Sequence, residues 1–218
     1  MAKKTKAKRA PLTRKRILKA AVKLADKSGV DSLSMRKLAS TLSVEAMSLY
    51  NHIEGKEDLL DGITDLVVGE IAAPQVSGDW MQAMRDRACS AHEVLLSHPW
   101  ASLLVASRVN VGPSMLHYVD ATVGCLVQAG FSYEMADRAW NAMDSHIYGF
   151  TMQELNFPFD VPEYAGAAKE FMPMIPVEKY PHLHALAQMV VAGDHYGAQD
   201  FNFGLELILG ALERLRDV

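Results

Sequence analysis

Apolar side chains recur every third or fourth residue along most of this chain, the period of helices that bury one face. Thr13 stands as an N-cap before Ile17, Leu18, Ala21, Leu24 and Ala25, a series that Gly29 closes. Ser34 is a second N-cap, ahead of Met35, Leu38, Ala39 and Leu42, enough for a helix of about two turns. Leu42-Ser43-Val44 then makes a tight connection to a short helix ending near His52, with Leu49 and Ile53 turned inward. Gly55 breaks the pattern, and Lys56 opens a fourth helix through Leu59, Leu60, Ile63, Leu66 and Val67 to Ala72, where Pro74 forbids continuation. Beyond it, Asp79 caps a helix through Leu96, Pro99 ends it, residues 100–109 form a shorter one, and Gly112-Pro113 precedes another over 114–129. Ser132 caps a long helix over 133–155. Pro158, Pro162, Pro173, Pro176 and Pro181 make 156–181 a loop-rich insertion with at most one short helix, and helices over 183–191 and 199–216 complete the chain. No stretch alternates strictly, so the expected fold is all-α: a three-helix headpiece followed by a larger helical body.

The 218 residues, half of them apolar, suffice for one large domain or a small one joined to a larger. The N-terminus has no signal-peptide pattern, and no apolar run reaches the roughly 20 residues that span a bilayer. A soluble cytoplasmic protein without a membrane partner is therefore expected. Cys89 and Cys125 have no C-x-x-C partner and sit in apolar helical patterns, as reduced thiols do.

Charge changes the picture more. The net charge of −4 hides a segregation: residues 1–56 carry 14 Lys and Arg against 4 Asp and Glu, whereas the remainder carries 8 against 22. A basic end on an acidic body points to a polyanion at that end, although a solvated tail and a charged helix face fit the same counts. Residues 1–12 are basic, low in complexity and expected to be disordered alone. Their Lys3, Lys4, Lys6, Lys8 and Arg9 either track a minor groove or stay solvated.

Two short helices joined by a tight turn, the second carrying Ser48, Tyr50, Asn51 and His52 outward, form the helix-turn-helix pattern. The stretch LSMRKLASTLSVEAMSLYNHIEGKEDLLDGI, residues 33–63, resembles the DNA-binding domain of the tetracycline repressor (TetR) family. Its most specific part is Leu49-Tyr50-Asn51-His52-Ile53-Glu54-Gly55-Lys56. The resemblance implies a DNA-binding domain over 13–58 and a ligand-binding and dimerisation domain over 59–218. It also implies that Arg36, Ala46, Met47, Ser48 and Asn51 face the major groove of double-stranded operator DNA, while Tyr50, His52 and Lys56 hold phosphates or adjacent base edges. The chemistry agrees: Arg36 can pair bidentately with guanine, Ser48 with several bases, and Ala46 and Met47 can lie against thymine methyls. Where relatives often have glycine in the turn, this chain has Ser43. A left-handed serine there costs about 1 kcal/mol, which a different turn would avoid.

By the same resemblance, helices 133–155 and 199–216 of two subunits form a four-helix interface, with Phe201, Leu205, Ile208, Leu209 and Leu212 as contacts. The alternative is that these side chains close the monomer's own core. The body is expected to enclose a pocket for an unknown, small, largely apolar effector, walled by Trp100, Met115, Tyr118, Trp140, Met143, Phe150 and Met152. Arg108, His117, Asn141 and His146 would be its polar groups, each also compatible with plain packing. His182, His184 and His195 lack an acidic partner at a metal-binding spacing, so no metal and no cofactor is expected. G-x-S-x-G, P-loop, H-E-x-x-H and Rossmann glycine patterns are absent, which argues against an enzyme. The reading reached is a repressor that binds a palindromic operator as a homodimer and is released by its effector. Its rivals are a DNA-binding protein with no small-molecule switch and a small helical enzyme.

Overall fold

The computed structural model describes residues 11–75, 78–159, 161–195 and 200–216, and among these the only regular secondary structure is helical. The basic residues of the tail, Lys3 to Arg9, lie outside the described residues.

The headpiece is α1 (Arg14–Ser28), α2 (Met35–Leu42) and α3 (Ala46–Tyr50). Thr13 and Ser34 cap α1 and α2 as their side chains predict, each accepting from the amide three residues on, at 3.3 Å and 3.2 Å. Ile17, Leu38, Leu49 and Ile53 meet in a closed core.

Ser43 does not avoid the left-handed region. It sits at φ 55° and ψ 48°, with its amide closing α2 onto the Ala39 and Ser40 carbonyls. The Val44 amide then bonds back to Ala39 O at 3.0 Å. This tight reversal lets α3 cross α2 with Leu49 and Ile53 inward, and their burial outweighs a local backbone cost of about 1 kcal/mol. Ser43→Gly is therefore expected to raise stability by a few tenths to about 1 kcal/mol. Urea denaturation measures this, and a loss of stability would contradict the strain.

α4 (Lys56–Val68) joins headpiece to body. It stops short of Ala72: the chain turns at Gly69, where a Cβ would come within 2.9 Å of Ser114 Oγ, and the turn brings Ile71 into the core. The body comprises α5 (Trp80–Ser97), α6 (Ala101–Ser107), α7 (Pro113–Gln128), α8 (Tyr133–Asn156), α9 (Val161–Phe171), α10 (Pro181–Ala192) and α11 (Phe201–Leu215). The insertion thus holds one helix of 11 residues, α9, plus a 3-10 turn at Met172–Met174. α8 packs against α5, α6, α7 and α11; α4 packs against α1, α6 and α7; α9 and α10 pack mainly on one another. One apolar core runs from Ile17 in α1 to Leu212 in α11.

The buried face of α11 corrects an expectation. Phe201, Leu205, Leu209 and Leu212 are buried within their own chain, and Ile208 is half-buried. α11 lies so close to α8 that a Cβ at Gly204 would strike the His146 ring. The apolar positions it leaves outward are Phe203, Leu207 and Leu215. Apolar side chains cover more than half of this helix, and their spacing cannot say which side its own body takes.

Candidate nucleic-acid interface and effector cavity

Leu49 and Ile53 pin α3 from beneath, which turns its other positions outward. Met47, with 74% of its surface exposed, Tyr50 and Asn51 stand free of the core, as do Arg36 on α2 and Lys56 at the start of α4. Ala46, Ser48 and His52 are partly covered. All eight residues named from the sequence lie on α2, α3, the α3–α4 connection or the first turn of α4.

The end of α3 is held by a clamp that sequence reasoning missed. Arg14 of α1 grips Asp58 of α4 with two N–H groups, at 2.8 and 2.5 Å, and donates to the His52 carbonyl at 3.1 Å. Asp58 also accepts from the Glu54 amide at 2.8 Å. The hydrogen bond from Arg14 holds the Asp58 carboxyl below the usual carboxylate range, with burial opposing and the Glu54 amide assisting. One ion pair thereby ties α1, the tail of α3 and α4 into a rigid reading head. An acidic residue in the first turn of a helix was the available signal; its partner, 44 residues earlier, was not.

In the body, α6, α7 and α8 line a partly open cavity of about 590 Å³. Arg108, Trp140 and Asn141 line it, as do Met115, Tyr118 and Met152. Five expected residues stand elsewhere. Met143 is fully buried core, and His117 is exposed on α7. His146 shares a 2.9 Å hydrogen bond with Phe201 O and stacks on that ring, with Phe150 completing the layer between α8 and α11. The Trp100 indole donates to Asp26 of α1 at 2.7 Å.

Under the cavity lies a buried ion pair, Arg87 with Asp144. The Asp144 Oδ2 also accepts from the Trp140 indole at 2.7 Å and the Tyr148 hydroxyl at 3.0 Å. The Arg87 guanidinium sits 4.8 Å from the centre of the Tyr118 ring. Burial works against its charge, but the Asp144 carboxylate more than offsets this and its pKa lies above the usual arginine value. Burial also pushes the Tyr118 and Tyr148 hydroxyls far above the usual phenol range, so both stay protonated. Trp140, Asp144 and Tyr148 are successive i, i+4 positions on α8, a spacing that could have singled out Asp144.

The cavity's rim is fastened to α4. Arg108 donates to Asp61 at 2.9 Å and to Glu57 at 2.8 Å. Asn110 donates to the Asp61 carbonyl at 3.0 Å, and Asp65 accepts from the Met115 amide at 2.9 Å. Gly112 has no side chain because Asp65 occupies that space. A second joint, from the body to α1, runs through His98, whose ring nitrogens meet Asp26 at 2.7 Å and Glu70 at 3.3 Å. A larger groove of about 800 Å³ lies beside this joint. Half of its lining residues are charged, Lys15, Arg16, Lys19, Lys23, Asp26 and Glu70, against Arg108 and Asp144 in the body cavity, so the body cavity suits an apolar ligand better.

Outward helix-turn-helix side chains on a helical body that encloses a cavity define a regulator of the one-chain, DNA-reading kind. The chain belongs to the TetR family: residues 17–63 match the bacterial regulatory proteins of the tetR family, and residues 73–216 match the tetracyclin repressor-like C-terminal domain. It is similar to an HTH-type transcriptional regulator of Saccharopolyspora erythraea, 38% identical over 144 residues, which are 66% of this chain and 61% of that protein. It is also similar to the class C tetracycline repressor of Escherichia coli, 27% identical across 94% of this chain and 92% of the repressor. Among solved structures, ActR of Streptomyces coelicolor in complex with actinorhodin superposes with a TM-score of 0.79 at 27% identity, covering 95% of this chain and 99% of that one. The protein is thus a transcriptional regulator. Among the described residues, no helix is long and apolar enough to cross a membrane.

Proposed function

We propose that this protein is a repressor that binds a two-fold symmetric operator as a homodimer and leaves it when a small, largely apolar effector fills the body cavity. The observation that carries the reading is that Arg108, Asn110 and Met115 line the cavity while Arg108, Asn110 and the Met115 amide hold α4. An effector that shifts this rim shifts α4, and with it the headpiece clamped to α4 by Arg14 and Asp58. Two headpieces on one operator tolerate little change in their separation, so a small displacement lowers affinity. Phe203, Leu207 and Leu215 on the outer face of α11 supply apolar surface for the partner subunit. ActR, whose solved structure contains actinorhodin, and the tetracycline repressors support a ligand-driven reading by kinship.

The test is binding of the purified protein to DNA upstream of its own gene, titrated with candidate effectors. Tight, salt-sensitive binding to a short symmetric site, relieved by a ligand that also raises the melting temperature, is the expected result. Affinity unchanged at saturating ligand would leave a DNA-binding protein without a switch. Arg108→Ala is expected to bind operator but to lose much of a ligand response that in such couplings is about 5–150-fold. An undiminished response would show that the coupling bypasses Arg108.

A further inference from the structure

His98 is mounted firmly on the body. Its amide closes α5 on the Val94 carbonyl at 3.0 Å, and its own carbonyl accepts the Ala101 amide at 2.8 Å as α6 begins. From that mount the ring reaches both elements that lead to the headpiece. Nδ1 lies 2.7 Å from Asp26 near the end of α1, and Nε2 lies 3.3 Å from Glu70 in the turn that finishes α4. The Trp100 indole, T-shaped against the His98 ring, donates to the same Asp26 oxygen at 2.7 Å. Asp26 and Glu70 are the charged groups hydrogen-bonded to the ring, and Lys15, Arg16, Lys19 and Lys23 of α1 line the same groove.

An imidazole carries one N–H when neutral and two when charged, so a ring between two carboxylates satisfies both only with its second proton. Burial works against that charge, but the hydrogen bonds to Asp26 and Glu70 outweigh it and raise the His98 pKa above the usual imidazole value. When the second proton leaves, the remaining N–H keeps the shorter bond, to the Asp26 carboxylate that Trp100 also holds. The Nε2 lone pair then faces the Glu70 carboxylate, acceptor against acceptor, and Glu70, with 56% of its side chain exposed, is free to turn to water.

We propose that His98 is a proton-gated tie between body and headpiece: with both ring nitrogens protonated it fixes the end of α4 beside α1, and with one it releases Glu70 and loosens the headpiece on the body. The cavity's rim holds α4 through Glu57, Asp61 and Asp65, so the proton acts on the opposite end of the same helix. Two headpieces on one operator tolerate little play, and release therefore lowers operator affinity. That consequence rests on the homodimeric repressor reading.

The test compares wild type, Glu70→Gln and His98→Gln as full chains from about pH 6.5 to about pH 9, by thermal unfolding and by titration with DNA upstream of the protein's own gene. A glutamine amide at position 70 donates to the unprotonated Nε2, so Glu70→Gln keeps the tie without the second proton, whereas His98→Gln removes the titrating group. The raised pKa makes the proton's contribution complete below the usual imidazole value of 6.5 and lost as pH rises through the raised one. Wild type is therefore expected to lose about 1–4 °C of melting temperature relative to both variants across the range, and about two- to fivefold more operator affinity than either. Titration of His52 on the DNA-facing side is common to all three and cancels in the comparison. If the three melting temperatures move in parallel with pH, the tie does not exist. If wild type alone loses melting temperature while operator affinity moves alike in all three, the proton acts on the fold and not on the headpiece, which overturns the gating. If no DNA site is preferred at any pH, the operator reading fails, and the melting temperatures decide the tie by themselves.

Discussion

Asp144→Ala is expected to lower the unfolding free energy by about 3–5 kcal/mol, a large share of the stability of a domain this size. The carboxylate is the anion facing Arg87, whose side chain is completely buried. Its removal leaves an uncompensated guanidinium in the core and takes the acceptor away from Trp140 and Tyr148 together. Arg87 cannot escape by losing its proton, because arginine stays charged at any working pH. The Arg87→Met, Asp144→Leu double variant should recover the part that comes from the unpaired guanidinium, since well-packed apolar groups often equal a buried pair, and keep the part that comes from Trp140 and Tyr148 losing their acceptor. Urea denaturation of the two variants beside wild type decides the matter. A single variant within about 1 kcal/mol of wild type would mean that water reaches Arg87 and the pair is not sealed.

That pair shows where the sequence was silent. Features made by neighbours in the chain were legible: Thr13, Ser34, Asp79 and Ser132 all cap the helices they precede, because a cap is chemistry over three residues. The inward set of the headpiece, Ile17, Leu38, Leu49 and Ile53, was legible for the same reason, since helical spacing decides it. Arg87 with Asp144 spans 57 residues and Arg14 with Asp58 spans 44, and nothing local links either pair. The cavity was half legible. Arg108, Met115, Tyr118, Trp140, Asn141 and Met152 line it, but His146, Phe150 and Met143 share their helix with Trp140 and differ only in which neighbour that side of α8 meets. Ser43 is the converse case, a local preference overruled by packing at a distance.

Arg36→Ala is expected to weaken operator binding by about 1–3 kcal/mol per half-site, hence about 2–6 kcal/mol for a homodimer engaging both. Arg36 is exposed on α2, the helix that packs against α3, and no ion pair occupies it among the described residues, whereas Arg14, Arg85, Arg87 and Arg108 are each committed to a carboxylate. A guanidinium left free beside a reading helix costs the fold nothing to replace, so Arg36→Ala should melt as wild type does, which isolates the effect on DNA. The two roles assigned to cations on this face predict different signatures. Loss of a bidentate contact to guanine should relax preference at one base pair per half-site. If Lys56 meets a phosphate, its loss should weaken binding to all sequences alike and shallow the salt dependence by about one unit of slope per subunit. Titrating Arg36→Ala and Lys56→Ala against operators mutated one position at a time, over a range of salt, distinguishes them. If Arg36→Ala kept both affinity and base preference, α2 would contribute no reading group and specificity would rest on α3 alone, where Ser48, Asn51 and the half-exposed Tyr50 are the remaining polar side chains turned outward.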